Sequence, residues 1–187
     1  MRTHELNLNN PFIRGYYIDP KLCDEIIAAS EDTQDKFVAG IKAYKNAALT
    51  ICNSSIQQRY LNELTSVLEE YKKEFPAVND KLAAWTLYPE IRIQRYDAGQ
   101  FYKEYHAEQC GEQWNITRHL AFMTYLHDMQ DEGGTEFFHQ QLKVKPEQGL
   151  TIIWPADWTH LHRGIVSNTE VKYILTGWFV FDTSRWK

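Results

Sequence analysis

His106 and Glu108 stand two residues apart, His162 follows much later in the chain, and Lys172 lies ten residues beyond it. Two imidazoles and one carboxylate form the ligand set of a facial metal site with open coordination positions. Such donors suit a borderline divalent ion better than Mg²⁺ or Ca²⁺, which prefer oxygen ligands. Three protein ligands on an octahedral ion leave room for a bidentate cosubstrate and O₂. In a strand, residues i and i+2 project to the same side, so His106 and Glu108 can grip one ion together. The third ligand must come from elsewhere. His160 and His162 each offer an imidazole, and one of them is enough. Lys172 supplies a cation for the carboxylate of an organic acid. These residue types together imply iron(II) oxygen chemistry on a β-barrel scaffold.

The elements that must position these residues are legible as a change of period. Asp19-Pro20 reads as an N-cap followed by proline in the first helical turn, with Leu22, Ile26 and Ile27 as its apolar stripe. From 33 to 52 the pattern is mixed and reads as loop with some helix. Ser54 with Gln57 fits a capping box, and Ile56, Tyr60, Leu61, Leu64, Val67, Leu68, Tyr71 and Phe75 follow at helical spacing until Pro76 stops the run. A short helix after Pro76 is expected. From Leu87 onward the period shortens. Residues 91–96, 119–127, 135–138, 142–144, 151–154 and 172–181 read as strands, separated by turn residues such as Asp97-Ala98-Gly99 and Gly133-Gly134. Within the last strand Lys172, Ile174, Thr176 and Trp178 share one face. A lysine in so apolar a strand is costly to bury unless a carboxylate meets it.

The expected fold is α+β but mainly β: a jelly-roll (double-stranded β-helix) core over 85–187, with 1–84 as mainly helical support, all within one domain 1–187. The chain has 43% hydrophobic and 24% charged residues, which excludes a disordered chain. A net charge of −5 argues against nucleic acid and anionic membranes as partners, because phosphate binding rests on clustered Lys and Arg. Cys23, Cys52 and Cys110 are scattered without CxxC spacing, which fits reduced thiols and a cytoplasmic protein. The first ten residues lack the apolar stretch of a signal peptide, and no apolar run is long enough to span a membrane.

Four motifs in order carry a family resemblance. A tyrosine-rich lead-in runs from Tyr96 through Tyr102 and Tyr105 to His106-Ala107-Glu108. Arg118 to Tyr125, with Asp128, is followed by Gly133-Gly134 and Phe137. His162-Arg163-Gly164 precedes Lys172, and Thr176-Gly177-Trp178 closes the series. The stretch 91–182 resembles the 2-oxoglutarate- and iron(II)-dependent dioxygenases, in particular their prolyl 4-hydroxylase-like branch. That branch usually carries HxD. Glu108 is one methylene longer than the aspartate, although other branches of the superfamily do use HxE.

The resemblance implies His106, Glu108 and His162 as iron ligands. It implies Lys172 as the partner of the distal 2-oxoglutarate carboxylate, with Tyr96, Tyr125, Thr176 and Trp178 lining the cosubstrate site. The implied cofactors are Fe(II) and 2-oxoglutarate, with O₂ as cosubstrate and ascorbate as reductant. The implied reaction hydroxylates an unactivated C–H bond, by preference in a proline-containing peptide or protein, with a small molecule as the alternative substrate. Competing readings are a non-catalytic jelly-roll binding module and a cupin-like metalloenzyme that does not use 2-oxoglutarate. The spacing of Lys172 speaks against the latter.

Overall fold

The computed structural model describes residues 2–4, 12–32, 38–39, 44–49, 53–80, 83–102, 104–111 and 115–183. Among these residues, antiparallel strands form two sheets. The larger runs in the order β1 (Thr3–His4), β2 (Arg14–Tyr17), β10 (Leu150–Pro155), β7 (Arg118–Tyr125), β12 (Lys172–Phe181), β6 (Arg92–Tyr96), β4 (Lys45–Ala48), β3 (Val38–Ala39). A further strand, β5 (Trp85–Leu87), pairs with the far end of β12. The smaller sheet has the order β11 (His162–Gly164), β8 (Thr135–Phe137), β9 (Leu142–Val144). An isolated bridge adds His106 to its edge beside His162, with reciprocal amide–carbonyl hydrogen bonds of 3.0 Å. The chain is mainly β, and its core is the expected jelly roll.

Alternation along the central strands divides the hydrophobic residues between two clusters. Ala121, Met123 and Tyr125 of β7, Ile152 and Trp154 of β10 and Ile174 of β12 face the interior between the sheets. Phe122, Ile153, Leu175 and Phe179 face outward, where the helices cover them. The covering layer is α1 (Pro20–Glu31) and α2 (Ser54–Glu74), followed by the short α3 (Ala77–Asp80). Of the expected stripe of α2, Ile56, Tyr60, Leu64, Val67, Leu68 and Tyr71 are buried against the sheet, while Leu61 and the C-cap residue Phe75 pack on the same cluster only partly buried. Hydroxyls beneath α2 are satisfied by a buried chain, Tyr60 Oη to Thr124 Oγ1 at 2.7 Å and Thr124 Oγ1 to Thr151 Oγ1 at 2.7 Å.

Three local readings change. Asp19 does cap α1, accepting from the Lys21 amide at 3.0 Å. The cap of α2, however, is Asn53, whose Oδ1 accepts from the Ser55 and Ile56 amides, and Ser54 is already helical. An asparagine side chain satisfies the same free amides as a serine would. Within 33–52, the described segments 38–39 and 45–48 are strands, because β4 extends the larger sheet by pairing with β6; the remainder of that stretch, apart from residues 44 and 49, lies outside the described residues, as does Cys52. Cys23 is a buried free thiol and Cys110 an exposed one. The described part of the first 84 residues therefore contributes four strands as well as helices. No described helix is long and apolar enough to cross a membrane.

Candidate metal centre

The two imidazoles come from the smaller sheet. The bridge between His106 and His162 fixes their backbones side by side, and their rings lie 4.5 Å apart between centroids. Each ring is oriented through Nδ1, which donates to a backbone carbonyl: Glu104 O at 3.2 Å for His106 and His160 O at 3.0 Å for His162. With Nδ1 committed to a carbonyl, each ring turns Nε2 to the centre, where the neutral form offers an ion a lone pair and the protonated form donates to Glu108. Glu108 Oε1 stands 3.5 Å from His106 Nε2 and 3.3 Å from His162 Nε2. One ligand atom from each of the three residues lies within 4.8 Å of the others, which a single divalent ion can bridge.

His160 is not part of this group. It lies in the 3-10 turn Trp158–His160, so strand parity does not apply to it, and its Nδ1 is 2.8 Å from Thr159 Oγ1. Its contribution to the site is the carbonyl that orients His162.

Glu108 is mostly buried, with 14% of its side chain exposed. Burial pushes its carboxyl pKa up, but hydrogen bonds to His106 and His162 and the charge of those rings outweigh burial and hold it well below the usual carboxylate range. Its other oxygen, Oε2, accepts from Trp178 Nε1 at 2.8 Å and from Arg118 Nη1 at 3.0 Å. Arg118 Nη1 also donates to the Glu108 carbonyl at 2.9 Å, and its guanidinium lies 3.6 Å over the Trp178 ring.

Beside the three ligands opens a cavity of about 250 Å³, lined among others by Tyr44, Tyr96, Tyr102, Met123, Thr135, Lys172, Thr176 and Trp178. Lys172 is 7% exposed, and no acidic side chain among the described residues pairs with it. Burial lowers its pKa to about 8. Its Nζ lies 4.8 Å from the centroid of the Tyr96 ring, a cation–π contact that replaces only part of the lost hydration. A buried ammonium facing a cavity beside a two-histidine, one-carboxylate cluster fits a metal-chelating organic diacid.

The other expected cosubstrate residues occupy different layers. Tyr96 lines the cavity and donates its hydroxyl to Gln94 Oε1 at 2.8 Å. Thr176 lines it and donates to the Phe122 carbonyl at 3.2 Å. Tyr125 is buried one step back, donating to Thr135 Oγ1 at 2.7 Å, and Thr135 reaches the wall. Trp178 lines the cavity, but its polar atom is spent on Glu108.

Sequence pattern alone assigns no role to Arg118 or Tyr44. Alternation from Leu120 and Phe122 would place Arg118 on the outer, helix-covered face. The register of β7 against β12 slips at Phe179/Val180, so Leu120 pairs with Phe179 and Arg118 with Val180. A bulge of this kind changes which face a residue reaches. His119 accordingly packs outward with Trp85 and Phe181 while Arg118 reaches the cavity. Tyr44 precedes β4 and stacks on Tyr96, with ring centroids 5.0 Å apart; nothing in its local sequence signals that contact.

Residues 91–180 match the family model of the 2OG-Fe(II) oxygenase superfamily. No curated protein matches the chain in sequence. Solved structures share its fold at low identity. A viral collagen prolyl hydroxylase from Paramecium bursaria Chlorella virus-1, in a 2OG complex, is 16% identical, with a TM-score of 0.70 over 95% of this chain and 100% of that one. A Pseudomonas putida prolyl-4-hydroxylase is 14% identical, with a TM-score of 0.70 over 91% and 92%. A Trichoplax adhaerens prolyl hydroxylase, in complex with a hypoxia inducible factor peptide fragment, is 13% identical, with a TM-score of 0.69 over 96% and 88%. The match runs from the residue before β6 almost to the end of β12 and takes in all three converging ligands and the buried lysine, so over this stretch the chain matches the 2OG-Fe(II) oxygenase superfamily.

Proposed function

We propose that this protein is an Fe(II)- and 2-oxoglutarate-dependent dioxygenase that hydroxylates an unactivated C–H bond, with a prolyl residue of a peptide or protein as substrate. The observation that carries the reading is the convergence of His106, Glu108 and His162 beside a cavity holding the buried Lys172, which meets no acidic side chain among the described residues. The prolyl assignment is supported by the structural neighbours, which are prolyl hydroxylases, one of them with a bound peptide.

When bound, iron and 2-oxoglutarate supply the oxidising chemistry, in which one oxygen atom of O₂ goes to succinate as CO₂ leaves and the other goes to the C–H bond. The chain's own residues do the rest. His106 and His162 offer Nε2 lone pairs fixed by their Nδ1 hydrogen bonds, and Glu108 offers Oε1. Lys172 pairs with the distal carboxylate of the cosubstrate, so its buried charge is neutralised only on binding. Tyr96 and Thr176 shape the cosubstrate wall, and Tyr125 supports it through Thr135. Tyr102 packs edge-on to His106 at 5.2 Å and lines the cavity beside it. Ascorbate as the auxiliary reductant belongs to the same proposal.

The test is formation of succinate from 2-oxoglutarate by the purified protein under air, with Fe(II) and a panel of proline-containing peptides, read beside the peptide mass. Expected are metal-dependent succinate and a peptide gain of one oxygen atom. Absence of succinate above the metal-free control would favour the binding-module reading. Succinate that is stimulated by other compounds and never by prolyl peptides would overturn the substrate class alone.

A further inference from the structure

The glutamate of this site is anchored differently from its two histidine partners. His106 and His162 belong to the smaller sheet, whereas the carboxylate of Glu108 is tied to the larger one through Arg118 at the start of β7 and Trp178 in β12. Arg118 grips both the Glu108 carbonyl at 2.9 Å and Oε2 at 3.0 Å, and the Trp178 indole donates to the same Oε2 at 2.8 Å. The guanidinium stacked on the indole at 3.6 Å keeps both donors in register. Gln109 secures the neighbouring backbone: its amide donates to Ala156 O at 2.7 Å and its side chain to Arg118 O at 2.9 Å.

We propose that Arg118 and Trp178 are positioning residues that make the longer glutamate a competent one-oxygen metal ligand, by holding Oε2 so that only Oε1 faces the two imidazoles. The inference rests on the metal site proposed above. A glutamate has one more rotatable bond than an aspartate and reaches about 1.5 Å further, one C–C bond. Left free, that reach permits two-oxygen chelation, which would take up a position needed by the cosubstrate or O₂, and it permits rotamers that miss the ion. Two donors on Oε2 remove both alternatives, and their pull moderates the charge that Oε1 presents to the ion. An aspartate at 108 would hold its carboxylate about one C–C bond further from these donors on the same backbone, so the tether is expected to act mainly on the longer side chain.

The test uses Co(II) as the probe ion, with anaerobic calorimetric titration and the cobalt visible spectrum as readouts that do not depend on turnover. Four full-length proteins are compared: the parent, Trp178→Phe, Glu108→Asp and the double variant. Trp178→Phe keeps the ring and deletes the donor. It is expected to weaken Co(II) binding about tenfold, the lower end for a lost outer hydrogen bond to a ligand, and to shift the visible spectrum as the carboxylate changes its mode of coordination. In the Glu108→Asp background the same change is expected to leave affinity unaltered. Equal losses in both backgrounds, or no loss in the parent, would overturn the proposal. Should Trp178→Phe fold poorly, Arg118→Met against Arg118→Lys decides: the lysine restores part of the affinity if donation to Oε2 matters, and equal losses from both would overturn the proposal. A parent that binds no Co(II) would remove the metal site itself, an outcome distinct from a parent that binds and variants that show no coupling.

Discussion

Lys172 shows how one side chain can oppose stability and serve binding. Its pKa of about 8 against an ordinary 10.5 means that the folded state holds this proton less tightly than the unfolded chain. Between pH 8 and pH 10.5 the unfolded state therefore binds more protons, and stability rises with pH across that window. Below it the full penalty applies, on the order of 3 kcal/mol at 1.36 kcal/mol per unit. Lys172→Met removes the buried charge at similar volume. Calorimetry at neutral pH is expected to show the metal-free, cosubstrate-free variant melting several degrees higher than the parent, and kinetics to show a 2-oxoglutarate KM raised at least tenfold. In the parent, cosubstrate affinity is expected to fall as pH rises past about 8, as the ammonium deprotonates. A variant with the parent's KM would mean that the cosubstrate is anchored elsewhere. This lysine is legible from its strand alone, because an ionisable group among apolar neighbours demands a partner. Arg118 is not, because alternation assigns it to the wrong face and only the register slip against β12 returns it to the cavity.

Among the elements, those legible in the sequence are strands and helices whose own pattern decides their fate. The six strands expected between 91 and 181 and the long α2 appear within a residue or two. The sequence pattern does not reveal β1, β2, β3, β4, β5 and β11, all of five residues or fewer. A segment so short, without flanking turn residues like those that mark β8 and β9, carries no period of its own and becomes a strand because a partner edge receives it, as β6 receives β4. The glycine pair after β7 reads as a turn, but its role is tighter than that. Gly133 sits at φ 72°, and a Cβ on Gly134 would lie 2.3 Å from the Val144 carbonyl oxygen. Gly134 O also accepts from the Ile165 amide at 2.8 Å, just beyond β11. Gly134→Ala must push β8 from β9, and β8 is the strand against which His162 is paired. The expected cost is about 1–3 kcal/mol, as for an overpacked site, seen as a lower melting temperature, together with weaker metal binding in the folded fraction. Unchanged metal affinity in that fraction would show that β11 holds His162 independently of β8.

At the scale of the whole molecule, the larger sheet is shared property. Its inner face lines the cavity and its outer face packs on α1 and α2, so strands such as β7 and β12 contribute alternate residues to each side. The N-terminal part supplies four strands of that sheet and, through Tyr44, a piece of the cavity wall stacked on Tyr96. We propose that the chain therefore folds as a single cooperative unit. Separating 85–187 from the rest would expose Phe122, Ile153, Leu175 and Phe179 together and leave the edges of β6 and β10 unpaired. Full-length protein is expected to melt in one transition that coincides by far-ultraviolet circular dichroism and by tryptophan fluorescence, whose reporters include Trp85, Trp154 and Trp178 on β5, β10 and β12. Saturating Co(II) with 2-oxoglutarate should raise that single transition as a whole, because the ligands bind only the folded state. The fragment 85–187 is expected to aggregate or remain unfolded and to bind no Co(II). A soluble, cooperatively melting fragment that binds the ion would show that the jelly roll stands alone and that the helices are an accessory layer.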